Sequence, residues 1–163
     1  MFKKKVIDKF NEVERQLNNP EFTADIELKE ITNSEGDSLF LEILKANTGK
    51  VVYIDFWATW CLPCRNEMSW SKEIQQKFTG EKVEFVYLCC RSPEKSWKAT
   101  ISELGLKGTH YLLTPHQYDD LAEKFQIFSI PHYVLIDKSG KIVDRKAKKP
   151  SNGELVDQIR SLI

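Results

Sequence analysis

Two cysteines separated by two residues, Cys61 and Cys64, stand where an apolar run gives way to a helix-like stretch. Val51-Val52-Tyr53-Ile54 has the composition of a buried strand, and the residues from Arg65 to about Phe78 read as a helix. A cysteine at a strand-to-helix turn meets unpaired backbone N–H groups and the positive end of the helix dipole, which together stabilise a thiolate. The thiolate is the nucleophilic form, and Cys64, one helical turn on, is within reach for disulfide closure. This pattern predicts a redox dithiol. The same spacing suits half of a zinc site, which needs two further ligands. The remaining cysteines, Cys89 and Cys90, are adjacent, and His110, His116 and His132 are scattered, so no metal site is expected.

Two carboxylates stand near the cysteines in the chain. Asp55 interrupts the apolar run Val51–Trp57, and a buried carboxylate is rare without a partner or a role. Its plain alternative is a strand-end acid facing water. Glu67 follows Cys64 by three residues and so shares a helix face with that sulfur, although a solvated helix glutamate would look the same. Cys89-Cys90 end a second apolar run. Alternation sends one to each face, and the plain reading is two small apolar side chains. A second redox pair is the sharper reading, but a disulfide between neighbours is strained, so packing is expected.

The segment Asp55-Phe56-Trp57-Ala58-Thr59-Trp60-Cys61-Leu62-Pro63-Cys64, with Ile130-Pro131 ahead of His132-Tyr133-Val134-Leu135-Ile136-Asp137, resembles the thioredoxin superfamily. Trp60-Cys61-Leu62-Pro63-Cys64-Arg65-Asn66-Glu67 is similar to the TlpA/ResA-like branch, which carries a glutamate at the place of Glu67. Where that branch usually has a proline two residues later, this chain has Ser69. The resemblance covers roughly residues 37 to 163. It implies an α/β fold with a central mixed β-sheet flanked by helices, and thiol–disulfide exchange with protein substrates through Cys61 and Cys64. Cys61 would attack and Cys64 resolve, with Asp55 accepting the Cys64 proton through a water and Glu67 assisting. Trp60, Leu62, Pro63, Ile130 and a cis Pro131 would face the substrate. It also implies work as a reductant outside the cytoplasm, periplasmic or otherwise, with an upstream redox donor, no cofactor and a monomeric chain.

Two other readings follow from the same residues. A thiol peroxidase needs Thr or Ser three residues before its reactive cysteine, where this chain has Ala58 before Cys61 and Cys61 itself before Cys64. A non-catalytic thioredoxin-like protein could hold a metal on the two cysteines.

The composition agrees with one domain with room for a core: 163 residues, with 24 Lys and Arg balanced by 24 Asp and Glu. Such a balance gives no field to steer nucleic acid. The basic cluster Lys146-Ala147-Lys148-Lys149 lacks interleaved aromatics, so no nucleic-acid partner is expected and it reads as a solvated loop. No apolar run approaches the ~20 residues of a membrane span. Met1-Phe2-Lys3-Lys4-Lys5 starts like a signal peptide, but the following residues are too charged for its apolar segment. A cytoplasmic protein and an exported one with its leader removed both remain compatible.

Apolar Val6, Phe10, Val13 and Leu17 follow helical spacing, so a helix is expected over about 3–18. A half-buried strand is expected at 26–31, a turn at Asn33–Asp37, and a helix over about 39–46. Strands follow at 51–57 and 83–89. Ser92 is expected to cap a helix with Trp97, Ile101 and Leu104 on one face. A strand or loop spans 108–114, a short helix 118–125, and Asp137–Gly140 a hairpin turn. Ser151–Glu154 reads as a capping box for a last helix. Residues 1–36 are thus an N-terminal extension to a 37–163 domain, with the helix and strand between 92 and 114 resembling a TlpA-like insertion.

Overall fold

In the computed structural model, which describes residues 1–32 and 34–163, the chain forms a six-stranded mixed sheet in the order β1-β4-β3-β2-β5-β6. The strands are β1 (Ile26–Lys29), β2 (Val51–Trp57), β3 (Val83–Cys89), β4 (Gly108–Leu112), β5 (His132–Ile136) and β6 (Ile142–Asp144). The helices are α1 (Phe2–Asn18), α2 (Gly36–Ala46), α3 (Leu62–Lys77), α4 (Glu94–Leu104), α5 (Pro115–Phe125) and α6 (Leu155–Arg160). β1, β4, β3 and β2 run parallel, whereas β5 pairs antiparallel with both β2 and β6. Every residue of β2 is buried, as expected of a strand covered on both faces. β2 is an interior, fully buried strand, and Cys61 follows shortly after its C-terminal end.

Local chemistry explains most element boundaries. α3 begins at Leu62 rather than near Arg65, because the Cys61 sulfur accepts the Cys64 N–H at 3.3 Å as its N-cap and Pro63 sits in the first turn. α5 begins at Pro115 rather than Tyr118. Thr114 and Gln117 form a reciprocal capping box there, a signal legible in Thr114-Pro115-His116-Gln117. Ser92 does not cap α4, whose N-cap is Pro93. Its hydroxyl instead accepts the Thr59 N–H at 3.1 Å and donates to the Cys90 carbonyl at 2.9 Å. Gly108 has φ +115°, and a Cβ there would lie 2.4 Å from the Phe85 carbonyl oxygen, so that turn into β4 requires glycine.

The N-terminal residues are tied to this sheet. β1 extends its edge by pairing with β4, and α1 packs on α4. The helix expected at 3–18 forms, but its stripe is not buried: Val6, Phe10 and Val13 are exposed and Leu17 is half-buried. Of the turn expected at Asn33–Asp37, Asn33 lies outside the described residues, and the chain is already helical at Gly36. There α2 meets α5 closely, with the Gly36 N–H donating to Asp120 at 2.8 Å. No helix among the described residues is long and apolar enough to cross a membrane.

Candidate active site

Cys61 and Cys64 form a disulfide with their Cα atoms 5.3 Å apart. Cys61 retains 5% of its surface and Cys64 none, so only Cys61 is open to attack or to attack others. The Cys64 N–H aimed at the Cys61 sulfur, together with the α3 dipole, is the arrangement that holds a reduced Cys61 as thiolate. The carbonyl oxygen of Ile130 lies 3.9 Å from that sulfur. The Ile130–Pro131 peptide bond is cis.

Exposed apolar side chains flank the cysteines in the chain and stand near Pro131. Trp60 and Leu62 are 61% and 66% exposed, and Phe128, from the loop before Pro131, is 96% exposed. Pro63 is exposed beside them. The Trp60 indole is fixed by donating to the Arg91 carbonyl at 2.9 Å. Arg91 adopts a left-handed φ of 47°, which costs a side-chain-bearing residue about 1 kcal/mol or more. Its guanidinium lies over the Tyr118 ring at 5.0 Å, an attraction that helps hold it there. Trp57, by contrast, is wholly buried, as expected of a packing residue.

In β2, Asp55 is 1% exposed and neither carboxylate oxygen has a hydrogen-bond partner. Burial, reinforced by the charge of Glu67, pushes its carboxyl well above the usual carboxylate range. The Tyr133 hydroxyl is likewise buried without a partner, and Asp55 and Tyr133 are register partners across β2 and β5. Glu67 has a different environment. Its side chain is 12% exposed, accepts the Ser151 N–H and hydroxyl at 2.8 Å each, and lies 3.5 Å from the Lys149 ammonium. Ser151 therefore does not form the expected capping box. Its donors are taken by Glu67, and α6 starts later with Glu154 as N-cap. Through this contact the segment 145–151 is strapped to the active-site helix. It is strapped to β5 as well, since Ala147 N–H donates to the Tyr133 carbonyl at 2.9 Å.

Cys89 and Cys90 are free and buried. Burial pushes their thiols up to about 12 and about 11, so at pH 7 at most about one in 10⁴ is a thiolate. Thiol reagents should leave both unmodified in the native oxidised protein and label both on unfolding. Rapid native labelling would revive the second-redox-pair reading. Of the three histidines, His116 contacts Glu35 and Asp120 on the surface. His110 is buried in β4 and His132 lies on β5; the one His-carboxylate cluster among the described residues does not include the cysteines.

The chain and its fold match known proteins. A family model described as thioredoxin-like matches residues 49–142, more than half of the chain. ResA, a thiol-disulfide oxidoreductase of Bacillus thuringiensis, is 27% identical over 132 residues, which cover 81% of this chain and 73% of that protein. The solved thioredoxin domain of a thiol-disulfide oxidoreductase from Bacteroides vulgatus is 26% identical with a TM-score of 0.64, covering 72% of this chain and 82% of that one. A further Bacteroides vulgatus structure, 33% identical, superposes with a TM-score of 0.64 over 73% of this chain and 77% of its own. The chain belongs to the thioredoxin-like family. Within it, the protein is a TlpA/ResA-like member whose Cys61–Cys64 pair is a redox dithiol.

Proposed function

We propose that this thiol–disulfide oxidoreductase works as a reductant of protein disulfides outside the cytoplasm, with Cys61 as nucleophile and Cys64 as resolving thiol. The observation that carries the assignment of roles is the difference between the two sulfurs: Cys61 caps α3 and keeps a small accessible surface, and Cys64 has none. The Cys61 thiolate attacks one sulfur of a substrate disulfide, forming a mixed disulfide and releasing the other substrate sulfur as a thiolate, which takes a proton from solvent. Cys64 then loses its proton and attacks the Cys61 sulfur, breaking the mixed disulfide and expelling the second substrate thiolate. Two electrons have passed to the substrate, and the protein is left in the oxidised form seen here. An upstream dithiol must return the electrons.

Asp55 is the proposed proton acceptor for Cys64, through a water. Its support is a raised affinity for protons together with two unpartnered oxygens, the properties of a base matched to a thiol. Glu67 assists electrostatically by raising the proton affinity of Asp55, while its own oxygens are engaged by Ser151. Trp60, Leu62, Pro63, Ile130 and Pro131 are the proposed substrate contacts, and residues 37–163 the working domain.

Cys64→Ser should accumulate covalent complexes with substrate proteins that dissolve on reduction. Non-reducing gels without adducts, from a variant still modified at Cys61, would remove Cys64 from the resolving role. The direction of exchange is tested by the redox potential. A value near the ~−270 mV of thioredoxin supports a reductant, and one near the ~−120 mV of a strong oxidant such as DsbA overturns it.

A further inference from the structure

A groove of about 610 Å³ is lined by Phe128 and by Pro131, the residue after Ile130, whose carbonyl oxygen lies 3.9 Å from the Cys61 sulfur. Its far side is the strapped segment, which contributes Arg145, Lys146 and Lys149. No carboxylate lines it among the described residues. Neither the Arg145 guanidinium nor the Lys146 ammonium has a carboxylate partner among those residues. Arg145 donates only to the Lys124 carbonyl, at 2.7 Å. Lys149 keeps one contact, with Glu67, at 3.5 Å. In a chain whose charges balance overall, the lining thus carries three cations and no carboxylate, with Asp144, which accepts the Lys146 N–H at 2.9 Å, adjoining it as the one nearby acid among the residues acting on His132. His132, also in the wall, is held towards its neutral form by burial and bonds the Arg145 carbonyl at 2.6 Å.

We propose that this groove receives the polypeptide flanking the substrate's disulfide and selects an acidic segment bearing an aromatic or aliphatic side chain. The inference rests on the exchange reaction proposed above and names its substrate class. Phe128 and Pro131 give the apolar contact, and Arg145, Lys146 and Lys149 give the charge complementarity. Exposed ion pairs are individually weak and screened by salt. The selectivity is therefore expressed in KM and in ionic-strength dependence, not in the chemical step.

The test compares matched synthetic peptides with one disulfide each, flanked by Asp/Glu with Phe, by Asn/Gln with Phe, or by Lys with Phe. Reduction is followed at low and high ionic strength, with hydroxyethyl disulfide as a small uncharged reference. The acidic peptide should be reduced with a kcat/KM about ten-fold above the Lys peptide at low salt, and the gap should close at high salt. Arg145→Glu with Lys146→Glu should invert the preference, and the milder Arg145→Gln with Lys146→Gln should flatten it. Phe128→Ala should raise KM several-fold for every Phe-bearing peptide. Equal kcat/KM for acidic and basic peptides in a protein that reduces the reference would overturn this inference alone. So would a preference that survives charge reversal in a variant with an unchanged melting curve. Failure to reduce even the uncharged reference would instead overturn the underlying reading of the protein as a reductant.

Discussion

Cys61→Ser should lower dithiothreitol-driven insulin reduction to the uncatalysed rate, a loss of at least about a thousand-fold. The geometry leaves no substitute. Cys64 has no accessible surface, and Cys89 and Cys90 are buried thiols raised to about 12 and about 11. A serine hydroxyl at the α3 N-cap can still accept the N–H of residue 64, so the fold should persist, apart from the loss of the disulfide's contribution. Far-ultraviolet circular dichroism and a melt in reductant, compared with the reduced parent, separate these effects. A well-folded Cys61→Ser protein turning over insulin normally would remove Cys61 from the nucleophilic role.

Asp55→Asn should both stabilise the protein and slow resolution of the mixed disulfide. The native carboxyl holds its proton more tightly than an unfolded one because burial, and then the Glu67 charge, disfavour its anion. The native state therefore binds more protons than the unfolded state above the ordinary carboxylate pKa of 3.8. By linkage, this residue's contribution to stability falls as pH rises from about 4 until the raised native pKa is passed. Asparagine keeps the shape and does not titrate. The variant's advantage should accordingly be absent near pH 3, grow with pH and then level off. At pH 8 it should reach about 1 kcal/mol or more, equivalent to roughly 2–4 °C in Tm for a domain of this size. Asparagine also cannot take a proton from Cys64. Resolution measured by stopped flow at pH 7 should slow by roughly a hundred-fold, the low end of what a positioned base contributes, and the difference should shrink as the pH approaches that of thiol ionisation. An unchanged rate at pH 7 would make Asp55 structural only and would shift attention to Glu67.

The basic cluster at 146–149 shows how a composition-level reading falls short. As a string it is a solvated loop with balanced charges elsewhere. In the fold it is held beside Pro131 by contacts between residues far apart in the chain, Ser151 to Glu67 and Ala147 to Tyr133. Phe128 is silent in the sequence for a related reason. One aromatic in a loop carries no periodic signal, and only its exposure on the groove that Pro131 also lines gives it meaning.

The sequence by itself determined the chemistry. The Cys61/Cys64 spacing, the buried run of β2, the interrupting Asp55 and the proline of α3 act within one or two turns of chain. Local geometry at a strand-to-helix junction follows directly from such residues. Hairpin and helix signals were legible for the same reason. Ser92 and Ser151 do not cap. A capping serine and a serine bonded to a tertiary neighbour look identical in the chain, and here Thr59 and Glu67, far away in sequence, supply those bonds. The attachment of β1 to β4 and the strap on Glu67 were likewise decided only by the tertiary structure. So was the groove in which Arg145, Lys146 and Phe128 converge. Each depends on pairings across many tens of residues, whose closure is set by the packing of the whole core rather than by any local preference.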